Sequence, residues 1–296
     1  MRYEGKIYRP GPTEYDSYLL QVTFGCSHNK CTFCNYYRDT SFRVRPYEEL
    51  EEDIMMARSH YKNVPGVFLI DGNVTCLNMD RLRPILKKIK EVFPESDHTN
   101  MFGRFSDLYG KTLDELKEMR ELGVKMIYAG LESGSDIVLS DIKKGYTADI
   151  AIAAGQRAHE AGISLGTGAI LGLGGIHNSQ EHVTGTIRVL NEIKSAHIVG
   201  LMVLSLQTDS PLIASVHSGE FELPTYRQIF WEELEIVKAL QFEKPTVFFS
   251  GVYMPDNGMV AAVLPDDKEK LVRQLEMRPR DYPHLLDEKI RMNGSL

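Results

Sequence analysis

Three cysteines lie within nine residues, Cys26-Ser27-His28-Asn29-Lys30-Cys31-Thr32-Phe33-Cys34. They directly follow an apolar run, Tyr18-Leu19-Leu20-Gln21-Val22-Thr23-Phe24, which reads as a buried strand. The thiols therefore sit on a loop at the mouth of a sheet. Thiolates are the soft ligands that iron–sulfur clusters take. Three of them can hold three irons of a [4Fe–4S] cube and leave the fourth iron open to a small molecule. A structural zinc site asks for four ligands, commonly in two separated pairs. Beyond the loop only Cys76 remains, and His28 lies inside the loop at an awkward spacing. A disulfide framework asks for an even set in an oxidising compartment, and the stretch Met1-Arg2-Tyr3-Glu4-Gly5-Lys6 has no apolar signal core.

A repeating strand–helix pattern must position that loop. Strands are predicted at Tyr18–Phe24, Gly66–Asp71, His98–Phe105, Val124–Ala129, Ser164–Leu171 and His197–Leu206. They are short and apolar with little alternation, as parallel strands covered by helices are. Helices are predicted between them at Pro46–Tyr61, Met79–Val92, Leu113–Leu122, Thr147–Ala161 and Gln180–Ile193. Thr112 and Glu115 have capping-box spacing, Ser179 stands where an N-cap belongs, and Gly123 and Gly162 follow helix ends. The order implies right-handed βαβ units in an α/β fold, a partial (β/α)6 TIM-type barrel. Chemistry is then expected at the carboxyl ends of the strands. From Pro224 the pattern changes: a helix at Thr225–Leu240, a strand at Thr246–Tyr253, a turn at Met254–Gly258 and a last helix capped by Asp266 or Asp267 and ending at Glu276. The expected organisation is a core, residues 1–223, with a short α/β extension, residues 224–296, packed on it.

Composition is that of an ordinary globular protein: 296 residues, 43% hydrophobic and 25% charged. No apolar run approaches the roughly eighteen residues of a membrane span. Cytoplasmic residence is expected, which suits reduced thiols. The net charge of −7 argues against a nucleic-acid substrate, since backbone binding asks for a basic face. Arg38, Arg43 and Arg45 cluster locally, and Lys87, Lys88 and Lys90 read as a solvated helix face.

Several further motifs, in order over residues 17–210, resemble those of the radical S-adenosylmethionine (SAM) superfamily. Cys26-x4-Cys31-x2-Cys34 is one residue longer than the usual spacing and keeps three thiolates. Phe33 matches the aromatic position before the last cysteine, near the adenine. Asp71-Gly72-Asn73 ends the second strand where the family often has a Gly-Gly-Glu stretch for the SAM amino group. The match is loose, and Asp71 or backbone carbonyls are the candidates there. Gly130-Leu131-Glu132-Ser133-Gly134-Ser135 resembles the ribose- and methionine-contacting segment of coproporphyrinogen dehydrogenase-like and Elongator-like branches. Glu132 is the candidate acceptor for ribose hydroxyls, with Ser133 beside it. Lys144 aligns with a basic position that pairs with the methionine carboxylate. Gly168-Ala169-Ile170-Leu171-Gly172 resembles the Gly-x-Ile-x-Gly strand along the adenine, where glycine lets a flat ring approach. No stretch of these 296 residues resembles the further domains of coproporphyrinogen dehydrogenase, of Elongator or of cobalamin-dependent branches, so a stand-alone core is expected. One spare cysteine cannot build the second cluster of a methylthiotransferase.

The resemblance implies a [4Fe–4S] cluster on Cys26, Cys31 and Cys34, SAM as co-substrate, and a reducing partner such as flavodoxin or ferredoxin. It implies reductive cleavage of SAM to a 5′-deoxyadenosyl radical that abstracts hydrogen from a substrate, a small molecule or cofactor rather than nucleic acid. Such a cluster is expected to need anaerobic conditions. Arg104 and Arg157 are candidate cations for SAM or an anionic substrate group. Cys76 is the candidate hydrogen-atom donor, against the simpler reading of a buried thiol. Tyr36 and Tyr37 adjoin the cluster loop. Radical SAM modification of RNA and an iron–sulfur carrier without SAM chemistry are the alternatives. A carrier has no use for Glu132, Lys144 or the Gly168–Gly172 strand.

Overall fold

A computed structural model of the chain describes residues 1–8, 10, 14–207, 209–252 and 259–290. In chain order its elements are β1 (Ser17–Gln21), β2 (Thr23–Phe24), β3 (Arg43–Val44), α1 (Tyr47–His60), β4 (Gly66–Ile70), α2 (Met79–Val92), β5 (His98–Gly103), α3 (Phe105–Gly110), α4 (Leu113–Glu121), β6 (Val124–Ala129), α5 (Asp136–Asp141), α6 (Ala148–Glu160), β7 (Ser164–Leu171), α7 (Ser179–Glu192), β8 (Ala196–Val203), α8 (Leu212–Ser218), α9 (Tyr226–Ala239), β9 (Thr246–Gly251), β10 (Val260–Leu264) and α10 (Lys268–Asp281). The fold is α/β, built on a mostly parallel eight-stranded sheet of the partial-barrel kind. Two compact units emerge: Met1–Asn29, Tyr36–Ala129 and Ala154–Leu165 form the first, and Lys30–Asn35, Gly130–Ala153 and Gly166–Leu296 the second.

In the first unit the strand order is β1-β4-β5-β6, all parallel. Every residue of β1 and β4 is buried, which is why their sequences show no polar alternation. Leu19, Phe68 and Ile70 pack together, with Ile7, Phe102 and Tyr128 against them. Phe68 meets Phe102 edge-on at 4.9 Å and Tyr128 at 5.5 Å, the arrangement aromatic quadrupoles prefer.

In the second unit the order is β7-β8-β9-β10, with β9 parallel to β8 and β10 antiparallel to β9. The antiparallel pair supplies the last two strands. Gly168 of β7 comes so close to β8 that an added Cβ would stand 1.9 Å from the Gly200 carbonyl oxygen. That contact alone requires glycine. Helix α9 packs on α7 and α10.

The expected elements fall in place with corrections at their ends. The run Tyr18–Phe24 is two strands, because the chain breaks at Val22, whose N–H bonds the Ile70 carbonyl. The strand expected to reach Phe105 stops at Gly103. Arg104 turns the chain there, its carbonyl accepting from Asp107 and Leu108 to open α3. Asn178, not Ser179, is the N-cap of α7, because the Ser179 hydroxyl is taken by Glu232. Asp267 flanks α10, but its side chain accepts from the Val263 N–H rather than capping. That helix runs through Pro279 to Asp281, held by buried Leu271, Leu275 and Arg278, the last bonded to Glu233. Packing here outweighs the one backbone bond a proline removes. The Thr112–Glu115 capping box forms as expected. Gly123 and Gly162 adopt φ of 104° and 74°. The expected turn at Met254–Gly258 lies outside the described residues, as does Tyr253.

Candidate functional site

The first unit carries Cys26 and the turn after β4. Parallel pairing of β1 with β4 ends both strands at one level, so the loop after β2 and the Asp71-Gly72-Asn73 turn emerge side by side. Asp71 is buried, and both its oxygens are engaged. Oδ1 accepts from Tyr37 Oη at 2.7 Å, and Oδ2 accepts from the Gly25 N–H at 3.2 Å and Gln21 Nε2 at 3.3 Å. Burial outweighs these bonds and raises the Asp71 carboxyl above its ordinary range. Asn73 is fully buried and donates 2.7 Å bonds to Ser27 Oγ and Asp107 Oδ2. Cys76 is half-buried, with Sγ 3.1 Å from the Asn73 carbonyl, and burial pushes its thiol up to about 11.

Arg104 is buried at the end of β5, its Nε 3.4 Å from Ser106 Oγ and 3.9 Å from Asp107 Oδ2. Arg157 on α6 donates through Nη1 to the carbonyls of Tyr109 and Lys111, at 2.7 Å each, and lies over the Tyr109 ring. It fastens the end of α3.

The second unit carries Cys31, Phe33, Cys34 and the remaining motifs. The segment is stitched in place by its backbone: the Thr32 N–H donates to the Ile142 carbonyl, the Thr32 carbonyl accepts from Leu212, and Phe33 O accepts from Ser210 Oγ. Glu132 has φ of 65°, a left-handed conformation uncommon for a residue with a side chain. Its N–H donates to the Gly168 carbonyl at 3.0 Å and its carbonyl accepts from Ile170 at 2.9 Å, which hooks it onto β7. Glu132 Oε1 accepts from Lys144 Nζ at 2.8 Å. Lys144 is buried, which by itself lowers an ammonium, but the Glu132 carboxylate, the leading opposing influence, helps to outweigh burial and raise it. The ammonium therefore stays charged beside Cys31.

Ser133 is buried and 2.8 Å from His182 Nδ1, and it accepts from the Ser135 N–H. Burial pushes His182 down to about 4, so its ring is neutral. Gly172 turns left-handed at φ 83°, its N–H 2.6 Å from Glu232 Oε2. Pro224 and Ile229 cover it, at 2.8 and 2.9 Å from where a Cβ would stand. Glu232 also takes the Ser179 hydroxyl at 2.5 Å, and burial raises its carboxyl to about 7. Sequence reasoning missed His182 and Glu232. Nothing local marks either, because their partners lie 49 and 60 or 53 residues away.

A mostly parallel α/β sheet, cysteines outside any disulfide and a buried lysine paired with a half-buried glutamate are the features of a partial-barrel enzyme. Residues 20–190 match the radical SAM superfamily, and the chain belongs to it. Its structure is similar to that of methylornithine synthase, covering 91% of this chain and 85% of that one, with a TM-score of 0.50 and 15% identity. It is also similar to the radical SAM methyltransferase TsrM of Kitasatospora setae (TM-score 0.56, 14% identity, 74% and 43% covered). Coproporphyrinogen III oxidase of Escherichia coli is a further match (TM-score 0.53, 16% identity, 75% and 50% covered). A Methanocaldococcus jannaschii protein provisionally named a methylthiotransferase is 23% identical over 220 residues, 68% of this chain and 48% of the relative. The chain thus spans about half the length of that relative.

Membership implies SAM-dependent radical chemistry, with a [4Fe–4S] cluster and SAM. The donor chemistry fits such a cluster: Cys26, Cys31 and Cys34 are thiols outside any disulfide, Cys31 buried and the others half-buried. Among the described residues, no three His, Cys, Asp or Glu side chains already stand together as a metal-holding group. No helix among them is long and apolar enough to cross a membrane.

Proposed function

We propose that the core, residues 1–223, holds a [4Fe–4S] cluster on Cys26, Cys31 and Cys34 and uses it to cleave SAM reductively and take a hydrogen atom from a small-molecule or cofactor-type substrate. The observation that carries this reading is Glu132. Its backbone is hooked to Gly168 and Ile170 while its carboxylate pairs with Lys144, so three motifs of the superfamily meet through one residue. When bound, the cluster and SAM supply the electron and the hydrogen-abstracting group, and the protein supplies binding and geometry. Lys144 offers a fixed cation to a carboxylate, and Glu132 Oε2 offers an acceptor to a hydroxyl. Phe33, Ser133, Gly168, Ile170 and Gly172 shape the nucleoside side, and Gly72 and Asn73 the turn beside Cys26. Arg104 is the candidate cation for an anionic substrate group, with Arg157 behind α3. Cys76 is the candidate hydrogen-atom donor, and a Cys76→Ala protein of normal turnover removes that role.

The charge of −7 supports a small substrate over RNA. A reduced flavodoxin or ferredoxin in the cytoplasm is the proposed electron source. The test is anaerobic reconstitution followed by dithionite and SAM, with 5′-deoxyadenosine read by chromatography. Its formation, lost in the Cys26→Ala, Cys31→Ala, Cys34→Ala triple variant, supports the reading. A loaded cluster whose spectrum ignores SAM points instead to a carrier.

A further inference from the structure

Three consecutive residues after β4 each grip a different part of the cysteine loop, all within the first unit. Asp71 takes the Gly25 N–H on one carboxylate oxygen and the Tyr37 hydroxyl on the other, at 3.2 and 2.7 Å. Gly25 immediately precedes Cys26, and Tyr37 lies three positions beyond Cys34. One carboxylate thus ties both flanks of the motif. Gly72 lies directly under Cys26, where a Cβ would stand 2.9 Å from the Cys26 Cβ and 2.7 Å from the Tyr37 ring. Asn73 donates to Ser27 Oγ, the residue after Cys26. Asn29 completes the closure. It adopts φ of 43°, donates to the Tyr37 carbonyl at 2.7 Å, and accepts from Arg38 Nη1 at 2.9 Å. Asparagine tolerates that left-handed conformation better than most residues. Asn29 lies inside the four-residue spacer, so the spacer's added length is taken up by a residue with a defined bond.

We propose that Asp71-Gly72-Asn73 is the template that sets Cys26 and the two flanks of the cysteine loop before iron arrives, with Asp71 as its positioning residue. This rests on the reading of the three cysteines as cluster ligands. With both oxygens spent on Gly25, Gln21 and Tyr37, the carboxylate acts on the cluster through Cys26 and the loop flanks. Hydrogen bonds to a buried carboxylate are the strong kind, and losing the acceptor leaves a buried amide and a buried phenol unpaired. Groups that orient metal ligands in this way are worth about 10–100-fold in metal affinity.

The test uses the full chain, reconstituted anaerobically with iron and sulfide, as wild type, Asp71→Ala, Asp71→Asn and Tyr37→Phe. Iron release to a chelator, the electron paramagnetic resonance of the reduced cluster, and amide exchange at Gly25 in the iron-free chain are read together. Asp71→Ala is expected to release iron about 10–100-fold faster and to lose protection at Gly25. Asp71→Asn, which keeps one acceptor oxygen, should fall between it and wild type. Tyr37→Phe removes a single oxygen and decides the matter if Asp71→Ala does not fold. Iron release, resonance and Gly25 exchange that match wild type in the folded variants overturn the assignment alone. A wild-type chain that takes up no iron overturns the reading of the cysteines and this assignment with it.

Discussion

Replacing Glu232 by glutamine should make the protein more stable above neutral pH and change little below pH 5. In the fold Glu232 is fully buried and accepts from the Gly172 N–H and the Ser179 hydroxyl. Burial outweighs both bonds and moves its carboxyl from an ordinary 4.5 to about 7. Keeping it ionised in the fold therefore costs about 3 kcal/mol relative to the unfolded chain. A carboxyl raised on folding gives stability that is fully present below pH 4.5 and lost as pH climbs through 7. Between pH 5 and pH 8 the loss integrates to about 2.5 kcal/mol. Glutamine can still accept from Gly172 and donate to Ser179 Oγ, and it does not titrate. Urea unfolding of wild type and Glu232→Gln at pH 5, 6, 7 and 8 reads the difference directly, because every other titrating group cancels between the two. A gap that opens by about 2.5 kcal/mol toward pH 8 supports the reasoning. A flat gap means that the carboxyl titrates at its ordinary value, and that water or motion relieves the burial seen around α9.

Three other outcomes are expected. Gly168→Ala pushes a methyl to 1.9 Å from the Gly200 carbonyl oxygen, so β7 and β8 must separate; thermal unfolding should show a loss of about 1–3 kcal/mol. Lys144→Met leaves the Glu132 carboxylate without its ammonium and should cost about 3 kcal/mol. The double variant with Glu132→Gln should recover most of that stability yet still fail to bind SAM in equilibrium dialysis, which separates folding from binding. His182, lowered by burial from 6.5 to about 4, gives stability that is present above pH 6.5 and lost as pH falls through 4. Against His182→Gln, wild type should lose about 3 kcal/mol between pH 7 and pH 4 in acid unfolding curves.

The elements legible in the chain were those whose signals are local. Strands β6 and β7 and helix α2 have the expected bounds, because a continuous apolar run or a strong amphipathic stripe stops at glycine, asparagine or a polar turn. Helix α3 was hidden because Phe105 extends the apolar run of β5, and the turn at Arg104 depends on a bond to Thr75 Oγ1 from another loop. Helices α5 and α8 span only 6 and 7 residues, too short for periodicity to speak. The motifs could be read in order, but not the partners of their side chains. Asp71 meets Gly25 across 46 positions and Glu232 meets Gly172 across 60, distances set by topology rather than by spacing. Ser179 shows the same limit: its residue type suits a cap, and a remote carboxylate claimed its hydroxyl instead.

The bond from Glu232 to Gly172 also bears on how divisible this chain is. A cloning boundary at residue 223 respects the change of pattern in the sequence. It would also strip the Gly172 N–H and the Ser179 hydroxyl of their acceptor and remove Pro224 and Ile229 from the turn they cover. A fragment cut there keeps every superfamily motif in its sequence and loses the side chains that shape the end of β7. Residue 223 is a boundary of sequence pattern, and the stretches on either side of it are expected to be inherited, shortened or transplanted together.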